Sequence, residues 1–484
     1  INDSRVGRSI GSLIFEGSGS DAKTMNLNMF VQLEDFIFSN KTYQNVHVVL
    51  NKQSNNYKFS FNANDRDLKM RGQGVYIHQR SPQLEAEIAL NHANLKAMNL
   101  SKDSLAFSLN SKISISHFLK SGLIGTVILD NVQILNKGEN TIFDPIYISM
   151  DTTNFKRINI KNSIFNVSAS GDFPLYNVIY DWMADANFYK EKLLFNKKNL
   201  EQRSINDYEF KLKVNLEDLR KIRMLTKLDR ELGGDISIDL TYRRGISFTG
   251  NISTDSLQID THKFIENQME FDFTTKYSHP IEGKVLLSSK EQKWSIFPKT
   301  SDFNILLTLF SDTLTGDLKI VQPSENSSLI LNTQSIFGKE QIDTKFLNAE
   351  INWLNKIWKM NKGNQITISK EQLKLKDVEI YNDVDLIALE GVISNDESSE
   401  LYFEITNFGL QNVESILPRK WDGILSLIGK IKRFNVEQPW HLDGQFNLLG
   451  LQLEEAEIGD LQGVIDWNPK ENGLFTDIKI ESGS

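Results

Sequence analysis

The sequence has no cysteine, few prolines and no long apolar run. Without cysteine, the 484-residue chain has no disulfide scaffold, no cysteine-ligated zinc, no iron–sulfur cluster and no thiol nucleophile. Its 9 prolines are well below the usual share of about 5%, and no proline-, serine- or glycine-rich linker divides it. No apolar stretch approaches the roughly 20 residues that span a bilayer. We therefore expect one continuous structure rather than domains joined by linkers.

The chain also lacks an excess of positive charge. Its 54 Lys and Arg residues against 63 Asp and Glu residues give a net charge of −9, and no basic stripe with interleaved aromatic residues occurs. This balance argues against nucleic acid as a partner. Because the chain starts at Ile1 and stops at Ser484, we expect it to be a piece of a longer protein. Missing targeting signals then say little about the location of the parent.

Signals of catalysis and metal binding are sparse. The 7 histidines are scattered, without the His-x-His or His-Glu-x-x-His spacing of metal sites. Glu85 and Glu87 could be a glycosidase pair, but alternating acids on a strand usually form its solvated face. We therefore predict a protein that is not an enzyme, with no catalytic residue, no metal and no cofactor.

Alternation of apolar and polar residues dominates what is present. Stretches such as Phe59-Ser-Phe61 set apolar residues against Ser, Asn, Asp or Lys at period two, which gives an antiparallel sheet one dry and one wet face. We expect the apolar members to line a groove: Phe59, Phe61, Leu105, Phe107, Leu109, Ile236, Ile238, Leu240, Leu318, Ile320, Phe446 and Leu448. Sequence does not decide which of them face a ligand and which pack against a facing wall.

A phrase of the form apolar-x-Gly-x-apolar recurs along the chain. Its glycines are Gly250, Gly283, Gly316, Gly391, Gly444 and Gly463. Each glycine falls on the apolar face, where it predicts a gap at which the strand bends or another backbone approaches. The irregular spacing of the phrase disfavours a regular solenoid.

These patterns predict a mainly β fold, an elongated curled β-sheet or half-pipe with an apolar groove and a few amphipathic helices. At about 12 residues per strand and turn the chain holds on the order of 35 to 40 strands, and open sheets of that size curl. Three segments are expected: a β-rich groove segment over 1–172, a helical insertion with an intervening strand over 173–233, and a second β-rich groove segment over 234–484.

Helical periodicity indicates two principal helices inside the insertion. One runs from Pro174 to about Gln202, and the other from Asn215, as its cap, to Leu232, where Gly233-Gly234 would end it. Shorter candidates are 352–359 and 410–417. The residues expected to pack these helices on the apolar side of the sheet are Trp182, Met183, Leu219, Ile222 and Leu225.

Phenylalanine is enriched over the other aromatic residues. The chain has 29 Phe beside 12 Tyr and 7 Trp. Because Phe lacks the polar group that Tyr and Trp carry, this excess suits either a wide protein core or contact with acyl chains. Composition leaves both interpretations open.

Several stretches resemble the middle of TamB proteins of the Bacteroidota, the translocation and assembly module subunit of the AsmA-like family. They are Ile10-Gly-Ser-Leu-Ile-Phe-Glu-Gly-Ser-Gly19, Lys23-Thr-Met-Asn-Leu27, Phe36-Ile-Phe38, Asn40-Lys-Thr-Tyr-Gln-Asn-Val46 and Ala93-Asn-Leu-Lys-Ala-Met-Asn-Leu100, together with the order of elements from Gly171 to Leu240. The resemblance implies a β-taco with an apolar groove and a periplasmic protein anchored in the inner membrane. It also implies a TamA-like barrel partner in the outer membrane, phospholipid movement between the membranes, and a part in outer-membrane protein assembly and secretion. The membrane anchor and a recognisable partner-binding domain of that family are missing from this sequence.

The alternation of apolar and polar residues and the family resemblance both favour a bridge-like lipid transfer protein of a Gram-negative periplasm. Acyl chains would lie in the groove and headgroups at its wet edge, so that the chain supports outer-membrane biogenesis without a cofactor. In the full-length parent, parts outside this chain would associate with membranes and anchor the protein. Two alternatives stay open: a structural or adhesive β-solenoid surface protein, and a β-helical carbohydrate-active enzyme.

Overall fold

The structure is a computed structural model in which strands make up 79% and helices 3% of the chain. It describes residues 6–481 except 20, 22–23, 39–40, 102–103, 120–121, 137–138, 175–177, 179, 186, 188–206, 223–231, 245, 275–279, 295–298, 324–325, 354–355, 395, 397, 414–419, 433–440, 455 and 469–472. Among the described residues, neighbouring strands pair antiparallel, for example β1 with β2 and β30 with β31. The predicted mainly β, antiparallel fold class is confirmed.

The chain divides into two compact units, and the first contains residues 1–175 and 208–242. Its strands are β1 (Val6–Ser18), β2 (Asn26–Phe38), β3 (Lys41–Gln53), β4 (Asn56–Asn64), β5 (Leu68–Ile77), β6 (Gln83–Asn94), β7 (Leu105–Leu119), β8 (Gly122–Asn136), β9 (Glu139–Phe143), β10 (Ile146–Asp151), β11 (Lys156–Lys161), β12 (Phe165–Gly171), β13 (Glu209–Leu216), β14 (Leu232–Gly234) and β15 (Ile236–Arg243). β1 to β8 pair in chain order, β9 and β10 share one edge of β8, and β10 to β13 again pair in order. This meander keeps neighbours in sequence adjacent in space.

The second unit contains residues 176–207 and 243–484. Its strands are β16 (Ser247–Ile259), β17 (His262–Thr274), β18 (Glu282–Lys293), β19 (Thr300–Phe310), β20 (Thr313–Gln322), β21 (Ser327–Phe337), β22 (Gln341–Trp353), β23 (Lys356–Met360), β24 (Gln365–Ser369), β25 (Gln372–Tyr381), β26 (Leu386–Ser394), β27 (Glu400–Gly409), β28 (Trp421–Lys432), β29 (His441–Leu453), β30 (Ala456–Asn468) and β31 (Gly473–Glu481). They pair in chain order, except that β23 and β24 share the flank of β22 and both also pair with β25. The three-segment division expected from sequence stays a prediction.

Asparagine and aspartate residues mark β-bulges along both units. Asn131, Asp302, Asp377 and Asn407 each have φ between 48° and 55° and lie at shifts in strand register. Short polar side chains tolerate this left-handed backbone because they hydrogen-bond locally. A bulge bends its strand and increases the local twist, so these residues provide a local cause of sheet curvature.

Both predicted principal helices contain residues that the structure describes as helical. Helix α1, within the predicted 174–202 segment, has the described helical residues 178, 180–185 and 187, and most of the rest of that segment lies outside the described residues. Helix α2 is Leu219–Ile222. Asn215 and Leu216 belong to β13, so the predicted start at Asn215 is wrong, and the carboxylate of Asp218 accepts the backbone N–H of Arg220 instead.

The other predicted helical boundaries also changed. Leu232 and the two glycines after it form β14. Residues 352–353 belong to β22 and 356–359 to β23, and these strands pair antiparallel, so the predicted 352–359 helix is wrong. A 3-10 helix, Leu410–Val413, occupies the start of the predicted 410–417 helix. Among the described residues no helix is long and apolar enough to cross a membrane.

The predicted helix-packing residues have different environments. The ring centroid of Trp182 lies 6.3 Å from that of Phe248 on β16, although Trp182 is 47% exposed. Met183 is 54% exposed, so the prediction that it packs on the sheet is wrong. Leu219 is 7% exposed and buried as predicted. Leu225 and the side chain of Ile222 lie outside the described residues.

Replacing Leu219 with aspartate should lower the stability of the first unit by a few kcal/mol, because the carboxylate would be buried without a partner. Thermal melts followed by circular dichroism measure the change. Leu100→Asp is the matched control, since Leu100 belongs to the same unit and is 65% exposed; it should change stability by no more than about 0.5 kcal/mol. Equal melting temperatures for the two variants would contradict the burial of Leu219.

Candidate functional site

The strand registers of the first unit align apolar side chains into a row that crosses twelve strands. We call this series row 1: Phe15, Met29, Leu50, Phe59, Gly74, Ala86, Ile113, Val127, Ile148, Ile160, Val167 and Val214. Directly opposite residues in adjacent strands point to the same face, so row 1 lies on one face of the sheet. Apart from exposed Phe15 and buried Ala86, its members are half-buried.

One residue away along each strand, the opposite face carries a row that is almost entirely polar. We call it the polar row: Glu16, Asn28, Asn51, Lys58, Val75, Glu85, Ser114, Thr126, Ser149, Asn159, Ser168 and Lys213. Most of its members are exposed, including both carboxylates and both lysines. At the level of row 1, one face of the sheet is therefore apolar and the other almost entirely polar across twelve strands.

The second unit repeats this arrangement. Row 2 crosses β16 to β22 as Ile252, Met269, Leu287, Ile305, Leu318, Leu331 and Ala349. Row 3 crosses β25 to β31 as Ile380, Ile387, Ile405, Leu427, Phe446, Gly463 and Ile478. Ala349 is buried, Ile478 is 49% exposed, and the others are half-buried. A sealed core would bury such side chains, so the apolar rows keep some access to their surroundings.

All twelve residues predicted to line a groove are half-buried. Phe59, Leu318 and Phe446 are members of rows 1, 2 and 3, and Phe61, Ile320 and Leu448 follow two residues later on the same faces. Sequence patterns missed the row members on strands with weaker alternation, such as Leu50 and Val127. The strand register identifies them, because a residue that pairs with a residue on the apolar face of the neighbouring strand lies on that same face.

The β15 residues are placed by their polar neighbours. Ser237 donates to the Oδ1 atom of Asn215 at 2.7 Å, and Lys213 lies 2.7 Å from the Asp239 carboxylate. These contacts put Ser237 and Asp239 on the polar face with Lys213. The alternate residues Ile236, Ile238 and Leu240 therefore belong to the apolar face beside β13.

A local core occupies part of the apolar face of the first unit. Val132, Ile134, Phe143 and Ile164 form a buried cluster. Leu105, Phe107 and Leu109 pack against this cluster, so these three predicted groove residues contact protein. Half-burial alone therefore does not make a residue a ligand contact, and the row members outside this cluster are the better candidates.

Phenylalanine rings lie over glycines of the neighbouring strand on the apolar face. Phe59 faces Gly74, Phe61 faces Gly72, Phe273 faces Gly283, Phe403 faces Gly429 and Phe446 faces Gly463. A Cβ atom at Gly74, Gly429 or Gly463 would lie 2.6 Å from the facing ring, closer than atoms pack. The predicted gap at these glycines is therefore filled by a ring.

Substituting Gly72 with alanine should displace the Phe61 ring and destabilise the chain by about 1–3 kcal/mol. The three atoms nearest to an added Cβ all belong to that ring, so the double variant Gly72→Ala/Phe61→Ala should lose less than the sum of the single changes, by at least about 0.5 kcal/mol. Urea unfolding measures this cycle. Gly363→Ala is the control, since its nearest neighbour would be 3.8 Å away; additive losses would refute the ring-on-glycine contact.

A charged network lies on the polar face of β27 and β28. The Glu400 carboxylate accepts hydrogen bonds from Lys432 and from the Tyr402 hydroxyl, the latter at 2.6 Å, and lies 3.7 Å from Lys430. The hydrogen bond from Lys432, followed by that from Tyr402, lowers the pKa of Glu400 from its ordinary value of 4.5 to about 2. Glu400 thus remains ionised well into acidic solution.

Glu400 should stabilise the fold at neutral pH and lose that contribution in acid. Because its pKa is lower in the folded chain, the contribution is complete above the ordinary value of 4.5 and disappears as the pH falls through about 2. The stability difference between the wild type and Glu400→Gln should therefore shrink between these pH values. A difference that stays constant over this interval would contradict the network.

The described residues contain no group of three His, Asp or Glu side chains that could hold a metal ion. Comparisons with known proteins give no match to a family model, a curated protein or a solved structure. The feature of the described residues that indicates a function is the amphipathic sheet.

Proposed function

We propose that this chain is a conduit for the acyl chains of phospholipids. The observation that carries the proposal is row 1, an apolar series unbroken across twelve strands and mostly half-buried. At about 4.8 Å between strands, its eleven steps cover about 50 Å. This is longer than one acyl chain, which spans about half of the roughly 30 Å hydrocarbon core of a bilayer.

The energetics of such a row suit movement along it. Each methylene removed from water gains about 0.8 kcal/mol, and a row of similar apolar residues offers nearly the same gain at each position. Rings that lie over glycines fill gaps that would otherwise interrupt contact. Phospholipid headgroups stay in water at the edge of the apolar face, so transfer needs no bond change and no cofactor.

With the TamB resemblance, the proposal extends to cellular context. The chain would be part of a periplasmic protein anchored in the inner membrane, would pass phospholipids between the two membranes, and would meet a TamA-like outer-membrane partner. The alternatives fit the described residues less well. A closed solenoid would seal its apolar side chains, and the parallel β-helix of carbohydrate-active enzymes differs from the antiparallel pairing seen here.

Photo-crosslinking with a phospholipid that carries a photoactivatable acyl chain tests the proposal. After irradiation and digestion, we expect labelled residues to belong to rows 1, 2 and 3. The polar row is an internal control on the same strands and should remain unlabelled. Equal labelling of both faces, or no labelling of the apolar rows at saturating lipid, would refute an acyl-chain conduit.

A further inference from the structure

A concavity on the polar face of the second unit is separate from the apolar rows. It has a volume of about 870 Å³ and is bordered by strands β27 to β31. Side chains that point to it include Tyr402, Ile428, Gln445, Val464 and Asp477, which occupy the strand positions between those of row 3. Its volume lies within the roughly 300–1,000 Å³ of small-molecule sites.

Three exposed apolar side chains form a platform in this concavity. Tyr402 is 55% exposed, Ile428 is 61% exposed and Val464 is 43% exposed. Ile428 and Val464 stand on either side of Gln445 in the strand register, and Tyr402 lies diagonal to Ile428 across β27 and β28. Apolar groups exposed together on an otherwise polar face indicate an interaction site.

Two amide side chains lie among and beside these apolar groups. Gln445 and Gln462 both line the concavity, and within the described part of the chain neither makes a side-chain hydrogen bond. An amide both donates and accepts, as does a hydroxyl group. The charged side chains in the lining are balanced, with Lys430 and Lys479 against Asp443 and Asp477, so the site has no preference for a charged ligand.

The Tyr402 ring is held in place through its hydroxyl. That hydroxyl donates to the Oε2 atom of Glu400 at 2.6 Å, and Glu400 is itself bonded to Lys432. The ring face is therefore presented while the hydroxyl is already engaged. A ligand would gain from the ring rather than from the hydroxyl.

We propose that this concavity binds a neutral saccharide. A sugar ring has an apolar face, which suits the platform of Tyr402, Ile428 and Val464, and a rim of hydroxyl groups, which suits Gln445 and Gln462. The site lies on the face opposite to row 3. Binding of a saccharide is therefore independent of acyl-chain transfer, and either proposal can fail without the other.

Saturation-transfer NMR on the whole chain with chitotetraose, cellotetraose and maltotetraose tests the proposal. At least one tetrasaccharide should bind, with a millimolar dissociation constant. Tyr402→Ala should weaken that binding at least about tenfold, whereas Tyr402→Phe should stay within about threefold because it keeps the ring face that contacts the ligand. Tyr147→Ala is the matched control, since Tyr147 is 52% exposed in the other unit, and it should leave binding unchanged.

Two further variants make the outcome decisive. Gln445→Ala should weaken binding severalfold, which keeps the test valid if Tyr402→Ala fails to fold. Leu318→Arg, on the apolar face, should leave saccharide binding intact. The proposal is overturned if none of the three tetrasaccharides binds the wild-type chain, or if binding survives both Tyr402→Ala and Gln445→Ala. It is also overturned if the concavity takes up only an apolar dye that Tyr402→Ala releases.

Discussion

Replacing Leu318 with arginine should lower phospholipid crosslinking to row 2 by roughly 10- to 100-fold while the chain remains folded. Leu318 is a half-buried interior member of row 2, between Ile305 and Leu331. A hydrated guanidinium there would displace about three methylenes of acyl contact, at about 0.8 kcal/mol each. Because the position is only half-buried, the arginine head can reach water, and the fold should survive.

Asn304→Arg is the matched control for this experiment. Asn304 is exposed on the polar face and pairs with Lys319, the residue next to Leu318. Both variants add one positive charge in the same region, so they differ mainly in the face that carries it. Crosslinking to row 2 should change by less than about twofold in Asn304→Arg, where apolar contact is kept. A folded Leu318→Arg variant with wild-type crosslinking would remove row 2 from the conduit.

Replacing Trp358 with alanine should destabilise the second unit by about 3–5 kcal/mol. Trp358 is 3% exposed, and its ring centroid lies 5.9 Å from that of Phe408, which is 8% exposed. Both rings are buried, unlike the half-buried members of the apolar rows. Urea unfolding of the whole chain followed by circular dichroism measures the loss.

Trp467→Ala provides the comparison, because Trp467 lies on the apolar face opposite Leu442 and is 38% exposed. Its truncation should cost about 1 kcal/mol. If both tryptophan variants lose the same stability, the distinction between sealed contacts and open rows is wrong.

Period-two alternation predicted the fold class and, for individual strands, which residues lie on the apolar face. Phe59, Leu318 and Phe446 were found in this way, and each belongs to a row. The rows themselves depend on which residues of neighbouring strands face each other. Bulges at residues such as Asn131 and Asp377 shift that register, and a single strand's sequence does not contain this information.

The predicted start of the second helix is wrong because two periodicities compete there. Val214 and Leu216 alternate as strand residues, and Leu216 also fits the helical pattern that continues to Leu219. Sheet pairing of β13 with β12 satisfies the backbone up to Leu216, so the strand extends past the predicted cap. Local propensity is a weak guide where tertiary pairing is available.

The polar-face concavity had a signal in the sequence that the period-two pattern obscured. Tyr402, Ile428 and Val464 occupy strand positions whose side chains lie on the polar face, although their own side chains are largely apolar. Each is unremarkable alone, because single exposed apolar residues are common. Only the register of β27 to β30 brings them together. In such sheets, apolar residues that lie on the polar face of adjacent strands therefore indicate candidate binding sites.

Mass spectrometry of the whole chain, purified without detergent from a Gram-negative host, tests the central claim most directly. Native spectra should show the chain with bound phospholipid, and solvent extraction should recover phospholipids in more than one copy per chain, because row 1 is longer than one acyl chain. Leu318→Arg should reduce the number bound, and Asn304→Arg should not. A folded wild-type chain that carries no phospholipid, and takes none up from mixed micelles, would contradict the account.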